Sequence, residues 1–162
     1  MVTEYYLPLK NPASNRKELL AFAKSYTRWA RKNAFDVALV PDSMIADNHL
    51  MELIKKFHAV PVIFRVPPWQ FYRFHTDARR SCAINLLLEG DDSNTFYGTE
   101  TADEEVLDIV ELKYDLDCYY LLNTHLKHAV INKNNTRYMF SMGFPDTLSY
   151  QDIKTYCLEN NL

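Results

Sequence analysis

Short β-rich segments succeed one another from residue 60 to residue 144, and they leave few folds open to this chain. Each is rich in apolar or β-branched residues and stops at a turn signal such as Pro67-Pro68 or Gly90-Asp91. The segments are Val62–Val66, Trp69–His75, Arg80–Glu89, Thr95–Tyr97, Val106–Leu112, Cys118–Leu122, Ala129–Ile131 and Arg137–Phe144. Short strands at this spacing are typical of an all-β sandwich or barrel, and a jelly roll is one such solution.

Helical patterns flank the β segments on both sides. They cover residues 14–32, 48–57 and about 150–158. Ser14 or Asn15 can cap the first helix and Asp47 or Asn48 the second, and the third begins at Ser149 or Tyr150. We expect the first two helices to pack on the outside of a sheet. The pattern predicts one domain over residues 1–162, with N-terminal helices at about 14–58, a β-core at about 60–144 and a C-terminal helix.

Composition excludes several classes of protein. The 162 residues are 48% hydrophobic and include 9 Phe and 11 Tyr but only 3 Gly, which favours a packed globular chain over a disordered one. A net charge of −3 gives no indication of nucleic-acid binding. Three widely spaced Cys residues without a CxxC motif predict reduced thiols in a cytoplasmic protein. No apolar run has the length of a membrane span, the N-terminus lacks the features of a signal peptide, and nothing indicates the oligomeric state.

The candidate chemistry starts at His75-Thr76-Asp77, at the end of the second β segment. Side chains two residues apart point to the same side of an extended strand, so His75 and Asp77 can act together. A third ligand, His128, would complete a set of two imidazoles and one carboxylate. This set is the facial triad that non-heme Fe(II) oxygenases use, with the remaining coordination positions left open.

A hairpin over the last two β segments would add a cation to this site. If a turn closes around Lys133-Asn134, His128 pairs with Met139 and Arg137 becomes its diagonal neighbour, roughly 7–8 Å away. A small dicarboxylate could then chelate the metal at one end and pair with Arg137 at the other. Arg suits this task because its planar guanidinium binds a carboxylate through two hydrogen bonds.

Two further choices arise near the triad. His125 competes with His128 as the third ligand, and we favour His128 because it begins an apolar β segment whereas His125 falls in a loop. Arg79 and Arg80 follow Asp77 directly. A salt bridge or a surface position is the favoured interpretation of these two residues, and recognition of an acidic substrate group near the metal is the alternative.

These motifs resemble a known family. His75-x-Asp77, His128 and Arg137 nine residues later are similar to the pattern of the 2-oxoglutarate- and Fe(II)-dependent oxygenases. Residues 75–85 (HTDARRSCAIN) and 121–132 (LLNTHLKHAVIN) resemble more narrowly the small bacterial and phage members related to aspartyl/asparaginyl and prolyl hydroxylases. The resemblance covers about residues 60–144 and implies a double-stranded β-helix, which is a jelly roll with flanking helices.

The resemblance also implies a role for each site residue. His75, Asp77 and His128 would be the catalytic metal ligands, and Arg137 would bind the distal carboxylate of 2-oxoglutarate. Asn85 and Tyr72 are further candidates for hydrogen bonds to this cosubstrate. One departure concerns Met139, which stands where many relatives have a Ser, although Ser141 follows two residues later on the same face.

The implied activity is a dioxygenase reaction. O2 and 2-oxoglutarate would be consumed to hydroxylate a C–H bond of an unidentified substrate, such as a protein side chain, an amino acid or a small metabolite, with release of succinate and CO2. Two alternatives stay open at this point. One is a non-catalytic jelly-roll binding module, and the other is a metal-dependent cupin that does not use 2-oxoglutarate.

Overall fold

The computed structural model describes residues 4–32 and 34–162, and two antiparallel sheets dominate this part of the chain. Its strands are β1 Tyr6–Pro12, β2 Ala30–Arg31, β3 Asp36–Leu39, β4 Val60–Val66, β5 Gln70–His75, β6 Arg80–Glu89, β7 Asn94–Glu100, β8 Val106–Leu112, β9 Cys118–Asn123, β10 Lys127–Asn132 and β11 Arg137–Pro145. Its helices are α1 Arg16–Ser25, α2 Asn48–Phe57 and α3 Tyr150–Glu159, with a short 3₁₀ turn at Asp42–Met44. None of these helices is long and apolar enough to cross a membrane.

The two sheets form a double-stranded β-helix, so the predicted fold class is confirmed. The larger sheet has the order β1-β9-β6-β11-β4-β3-β2, and the smaller sheet has the order β5-β10-β7-β8. The strand pairs of both sheets are antiparallel. Most neighbouring strands, such as β6 and β11 or β5 and β10, are far apart in sequence, which is typical of a jelly roll.

Strands β6 and β11 separate an apolar layer from a polar interior. The even-numbered residues of β6, such as Ile84 and Leu86, pack with Phe140 of β11 and with the buried faces of the three helices. The alternate residues of the same strands, including Asn85 and Met139, face a cavity. Because side chains alternate along a strand, these two strands can line both layers. The expectation that α1 and α2 pack on the outside of a sheet is therefore confirmed.

The first helix is shorter than predicted. It ends at Ser25, and Tyr26 is already extended with a ψ angle of 131°. The rest of the predicted helix turns back, and its Trp29 packs edge-on against Tyr26 at 5.6 Å between ring centroids. The Arg65 guanidinium lies 4.6 Å from the Trp29 ring. Tertiary contacts of this kind outweigh a helical pattern whose intrinsic preference is weak.

The larger sheet also begins earlier than the predicted β-core at residue 60. Strands β1, β2 and β3 precede that point, and β1 had no counterpart among the predicted segments. It contains Pro8 and Pro12, which argue against a strand in the interior of a sheet. The strand is tolerated because β1 pairs with β9 alone and forms the edge of the sheet.

The predicted hairpin of β10 and β11 is wrong. Strand β10 pairs with β5 and β7 in the smaller sheet, whereas β11 pairs with β4 and β6 in the larger one. Residues 133–136 carry the chain from one sheet to the other. Asn132 holds this crossing, since its side-chain nitrogen donates to the carbonyl oxygens of Val66, Pro67 and Asn135 at 3.0, 2.7 and 2.8 Å. His128 and Arg137 consequently lie on different sheets.

Gly90 permits a close approach between the end of β6 and the start of β11. Its φ angle is 109°, a conformation that residues with a side chain rarely adopt. A Cβ atom at this position would lie 2.8 Å from the Cα of Arg137. Backbone conformation and packing therefore both require glycine here.

Replacement of Gly90 by Ala should destabilise the protein. The strained backbone alone costs about 1–3 kcal/mol, and the contact with Arg137 adds to it. Urea unfolding measures the change, with Asp91→Ala as the control because Asp91 is the exposed next residue. The control should change the free energy of unfolding by less than about 0.5 kcal/mol. Equal stabilities of the two variants would contradict the packing described for Gly90.

Candidate metal centre

Two histidines face each other on neighbouring strands of the smaller sheet. His75 is the last residue of β5 and is the register partner of His128 on β10. Their ring centroids are 4.2 Å apart. His128 is buried with 8% exposure, and the His75 side chain is 22% exposed. The pair therefore lies where the interior of the β-helix meets solvent.

Backbone carbonyl groups orient both imidazole rings in the same way. The Nδ1 atom of His75 lies 2.7 Å from the carbonyl oxygen of Arg73, and that of His128 lies 2.9 Å from the carbonyl oxygen of Leu126. A carbonyl oxygen only accepts, so each Nδ1 carries the proton and donates it. In the neutral ring, Nε2 then keeps its lone pair, the arrangement that metal-ligating histidines usually have.

The electrostatics of the pair also suit a cation. Burial, together with the positive charge that His75 can carry, lowers the pKa of His128 to about 4. This imidazole is therefore neutral at neutral pH, the form in which histidine binds a metal.

Asp77 completes the cluster from the connection between β5 and β6. Its backbone nitrogen donates to the carbonyl oxygen of Thr124 at 3.0 Å, which fixes this connection. One carboxylate oxygen, Oδ1, lies 3.8 Å from Nε2 of His75, and the other accepts a hydrogen bond from Nε of Arg80 at 2.6 Å. The ligand atoms of His75, Asp77 and His128 all lie within 4.8 Å of one another. Two nitrogens and one carboxylate oxygen are the donor set predicted from the sequence.

Arg80 forms the salt bridge that the favoured interpretation assigned to it. Besides Asp77, its guanidinium contacts Ser141 of β11, with Nη1 donating to the hydroxyl at 3.2 Å. Arg80 and Asp77 both line the cavity. Arg79, in contrast, is exposed. His125, the competing ligand, is also exposed and does not line this cavity.

A buried arginine occupies the other end of the cavity. Arg137, the first residue of β11, is 3% exposed. Its Nη2 donates to the hydroxyl of Thr95 at 3.0 Å, and its Nη1 is buried without a hydrogen-bond partner. In the described part of the chain no carboxylate pairs with it. Burial lowers the pKa of Arg137, but a guanidinium stays protonated in proteins, so a buried positive charge lacks a counter-ion.

Two further polar atoms near Arg137 are buried and unpaired. They are the hydroxyl of Tyr114, in the loop after β8, and Oδ1 of Asn85 on β6. Burial raises the pKa of Tyr114, and the proximity of Arg137, Asn85 and Thr95 only partly opposes this shift. Arg137, Asn85 and Thr95 all come close to the Tyr114 hydroxyl, but none reaches the distance and angle of a hydrogen bond with it. Buried polar atoms are nearly always paired, so this group points to a missing polar ligand.

All six predicted site residues line this one cavity of about 120 Å³. Asn85 and Arg137 lie at its closed end. Tyr72 lies at the metal end, where its ring centroid is 4.0 Å from that of His75. Burial and the nearby Asp77 raise the pKa of Tyr72. The structure thus brings the predicted residues together, although across two sheets and not along one hairpin.

Sequence reasoning missed Thr95 and Tyr114. Met139 leaves the Ser position of the family pattern without a hydroxyl, and the hydroxyl of Ser141 contacts Arg80. Thr95 supplies a hydroxyl beside Arg137 from the opposite sheet. Alternation along β7 could have placed Thr95 in the interior, but Tyr114 lies in a loop with no pattern that identifies it.

No family model and no curated protein sequence matches the chain. Among solved structures, a prolyl-4-hydroxylase from Pseudomonas putida has a TM-score of 0.60 at 16% identity. The match covers 86% of this chain and 90% of the hydroxylase chain. HygX from Streptomyces hygroscopicus, solved with nickel and 2-oxoglutarate, has a TM-score of 0.62 at 10% identity. The match covers 90% of this chain and 84% of HygX. A viral collagen prolyl hydroxylase from Paramecium bursaria Chlorella virus-1, solved with 2-oxoglutarate, has a TM-score of 0.56 at 12% identity. The match covers 88% of this chain and 96% of the viral chain.

The chain has the fold of the 2-oxoglutarate- and Fe(II)-dependent oxygenases. The likeness extends over most of this chain and most of each of these three structures. Because fold does not determine function, any activity has to be argued from the residues of the site.

Removal of a candidate metal ligand should strongly weaken metal binding without loss of the fold. We expect His128→Ala and Asp77→Ala to weaken Mn(II) binding by more than the roughly 10- to 100-fold that follows from loss of an outer-sphere partner. Calorimetry or the electron paramagnetic resonance signal of Mn(II) measures this affinity. His125→Ala is the matched control and should bind Mn(II) like the wild type. The opposite order of the two histidine variants would identify His125 as the ligand.

Proposed function

We propose that this protein is a 2-oxoglutarate- and Fe(II)-dependent dioxygenase that oxidises a C–H bond of its substrate, most simply by hydroxylation. The observation that carries the proposal is the unpaired guanidinium of Arg137 in the same cavity as the ligand atoms of His75, Asp77 and His128. A buried charge without a partner costs several kcal/mol. A dianion that also reaches a metal would remove this cost.

The closed end of the cavity fits the distal carboxylate of 2-oxoglutarate. A carboxylate can accept about four hydrogen bonds, and Arg137 offers an unused donor at Nη1. Tyr114 offers an unpaired hydroxyl, and Thr95 a hydroxyl already in contact with Arg137. The unpaired atom of Asn85 is its amide oxygen, and rotation of the amide by about 180° would present the NH₂ group instead.

The open end fits Fe(II). His75, Asp77 and His128 would hold the metal on one face and leave its other positions for small ligands. Together the bound metal and 2-oxoglutarate would supply the oxidising power, drawn from O2 and from decarboxylation to succinate and CO2. The protein supplies placement. Arg80 fixes one oxygen of Asp77, and the carbonyls of Arg73 and Leu126 fix the two imidazoles.

The walls between the two ends keep water out. Val66, Leu122, Val130 and Met139 line the cavity between the larger and the smaller sheet. An apolar wall strengthens the attraction between Arg137 and a carboxylate, because less water competes for either group. Met139 contributes to this wall, so the residue that departs from the family pattern has a role in the same site.

The same observation disfavours the two alternatives. A binding module has no need of three converging ligand atoms, and a cupin that does not use 2-oxoglutarate has no need of a buried cation without a counter-ion. We propose that the substrate is separate from the cosubstrate and that O2 is the oxidant.

Loss of the Arg137 guanidinium should weaken cosubstrate binding but not metal binding. Truncation of one partner of a buried charge pair typically costs about 2–5 kcal/mol, so Arg137→Ala should bind 2-oxoglutarate at least about 30-fold more weakly. Arg137→Lys should be intermediate because it keeps the charge but loses the second hydrogen bond.

Calorimetry on Mn(II)-loaded protein measures both affinities. Arg28→Ala is the matched control, because Arg28 is exposed and is not among the residues that line the cavity. Wild-type protein that binds Mn(II) but shows no affinity for millimolar 2-oxoglutarate would refute the oxygenase proposal. Release of succinate by Fe(II)-loaded protein tests the activity itself.

Tyr114→Phe separates a ligand-binding role from a structural one. The variant loses a hydroxyl that has no partner in the protein, so the free energy of unfolding should stay the same or rise. Its affinity for 2-oxoglutarate should fall by roughly tenfold or more, because a hydrogen bond to a charged group contributes about 1.5–3 kcal/mol. Tyr5→Phe is the control, since the Tyr5 hydroxyl contacts Thr99 at an exposed site. A destabilised Tyr114 variant with unchanged affinity would mean that the hydroxyl serves the fold.

A further inference from the structure

The cavity carries one excess positive charge. Among the described residues, the charged side chains that line it are Asp77, Arg80 and Arg137, one negative and two positive. The two imidazoles are neutral when they act as ligands. Under the proposed function, a divalent metal adds two positive charges and 2-oxoglutarate adds two negative charges, so they cancel. The excess charge therefore persists in the loaded site.

This uncompensated charge resides on Arg80. In the loaded site, Arg137 pairs with the distal carboxylate and Asp77 gives its charge to the metal. The guanidinium of Arg80 donates from Nε to Asp77 and from Nη1 to Ser141. In the described part of the chain Nη2 has no hydrogen-bond acceptor. The Arg80 side chain is 26% exposed, so the free edge of its guanidinium is accessible from the mouth of the cavity.

Packing contacts fix the position of the Arg80 side chain. Gly143 of β11 lies beside its aliphatic stem, and a Cβ atom there would come 3.2 Å from Cδ of Arg80. The ring of Phe64 lies 5.5 Å from the guanidinium carbon. Contacts with two strands of the larger sheet thus hold the cation in one place, and a ligand need not order it.

The surroundings of Arg80 offer apolar surface but no counter-ion among the described residues beyond Asp77. Phe35 packs edge-on against Phe64 and Tyr72, with ring centroids 5.0 and 5.7 Å apart, and all three rings line the cavity. The adjacent carboxylate of Asp36 already binds two arginines, Arg31 and Arg65. It cannot neutralise a third.

The size of the cavity places the substrate at this mouth. Its volume of about 120 Å³ is below the roughly 300–1,000 Å³ of pockets that enclose a drug-sized ligand. With 2-oxoglutarate between Arg137 and the metal, the body of a second ligand has to lie outside, against the aromatic rings and Arg80.

We propose that Arg80 binds a carboxylate of the substrate, and that the substrate of this site is a carboxylic acid with an apolar body that packs on Phe35, Phe64 and Tyr72. The inference rests on the proposed function, because the charge balance counts a metal and 2-oxoglutarate. A free acid and an acidic side chain of a peptide present the same carboxylate, and the experiment distinguishes these sources.

The test uses the full chain saturated with Mn(II) and 2-oxoglutarate, whose binding is measured first. 3-Phenylpropionate and the neutral 3-phenylpropionamide are then titrated by calorimetry, since they have the same apolar body and differ in charge. We expect the acid to bind wild-type protein about tenfold more tightly than the amide, or better. In Arg80→Gln this preference should vanish, and in Arg80→Lys part of it should return. A residue that only positions Asp77 would not change the ratio of the two affinities.

Two outcomes would overturn the inference. One is equal affinity of the acid and the amide for wild-type protein, and the other is an unchanged preference in Arg80→Gln. Failure to bind Mn(II) and 2-oxoglutarate in the first step refutes the proposed function instead, and the inference falls with it.

A blocked peptide, acetyl-Phe-Asp-Phe-amide, identifies the source of the carboxylate. Tighter binding than that of the free acid indicates a protein side chain, and weaker binding indicates a small molecule.

Discussion

The buried guanidinium of Arg137 is the constraint on which the site depends. It is almost fully removed from solvent, and in the described part of the chain only the Thr95 hydroxyl accepts a hydrogen bond from it, with the Tyr114 ring 5.5 Å from the guanidinium carbon. A neutral hydroxyl offsets little of the cost of burying a charge, so the protein alone keeps an electrostatic penalty at its centre. An anion that pairs with Arg137 removes this penalty, and the free energy recovered adds to the affinity of the anion. By linkage, such a ligand should also stabilise the folded protein.

The site is built from residues of both sheets. The larger sheet contributes Arg137 and Asn85, and the smaller sheet contributes His75, His128 and Thr95. Neither sheet alone has both the candidate metal-ligating imidazoles and the cation that can pair with a carboxylate. The helices cover the outer face of the larger sheet with apolar contacts, so its inner face is free to carry polar residues. Packing of the sheets therefore creates the site, and the spacing between them sets the size of the ligand.

Sequence reasoning succeeded where a local pattern carries the information. The β segments from Val60 onward and the start of the last helix at Ser149 or Tyr150 follow from the periodicity of apolar residues, which involves residues close in sequence. The hairpin at residues 133–136 failed because a turn-rich tetrapeptide fits a hairpin and a crossing between sheets equally well. Only the partners of each strand decide, and those partners are distant in sequence. Tyr114 was missed for the same reason.

The most direct measurement is the coupling between metal and cosubstrate. 2-Oxoglutarate is titrated by calorimetry into the protein with and without Mn(II), and Mn(II) with and without 2-oxoglutarate. A ligand that contacts Arg137 and the metal at once should bind more tightly when Mn(II) is present, and each should raise the affinity of the other by the same factor. A coupling of about 1–3 kcal/mol corresponds to roughly 5- to 150-fold. Identical affinities with and without Mn(II) would contradict a site in which one molecule joins Arg137 to the metal.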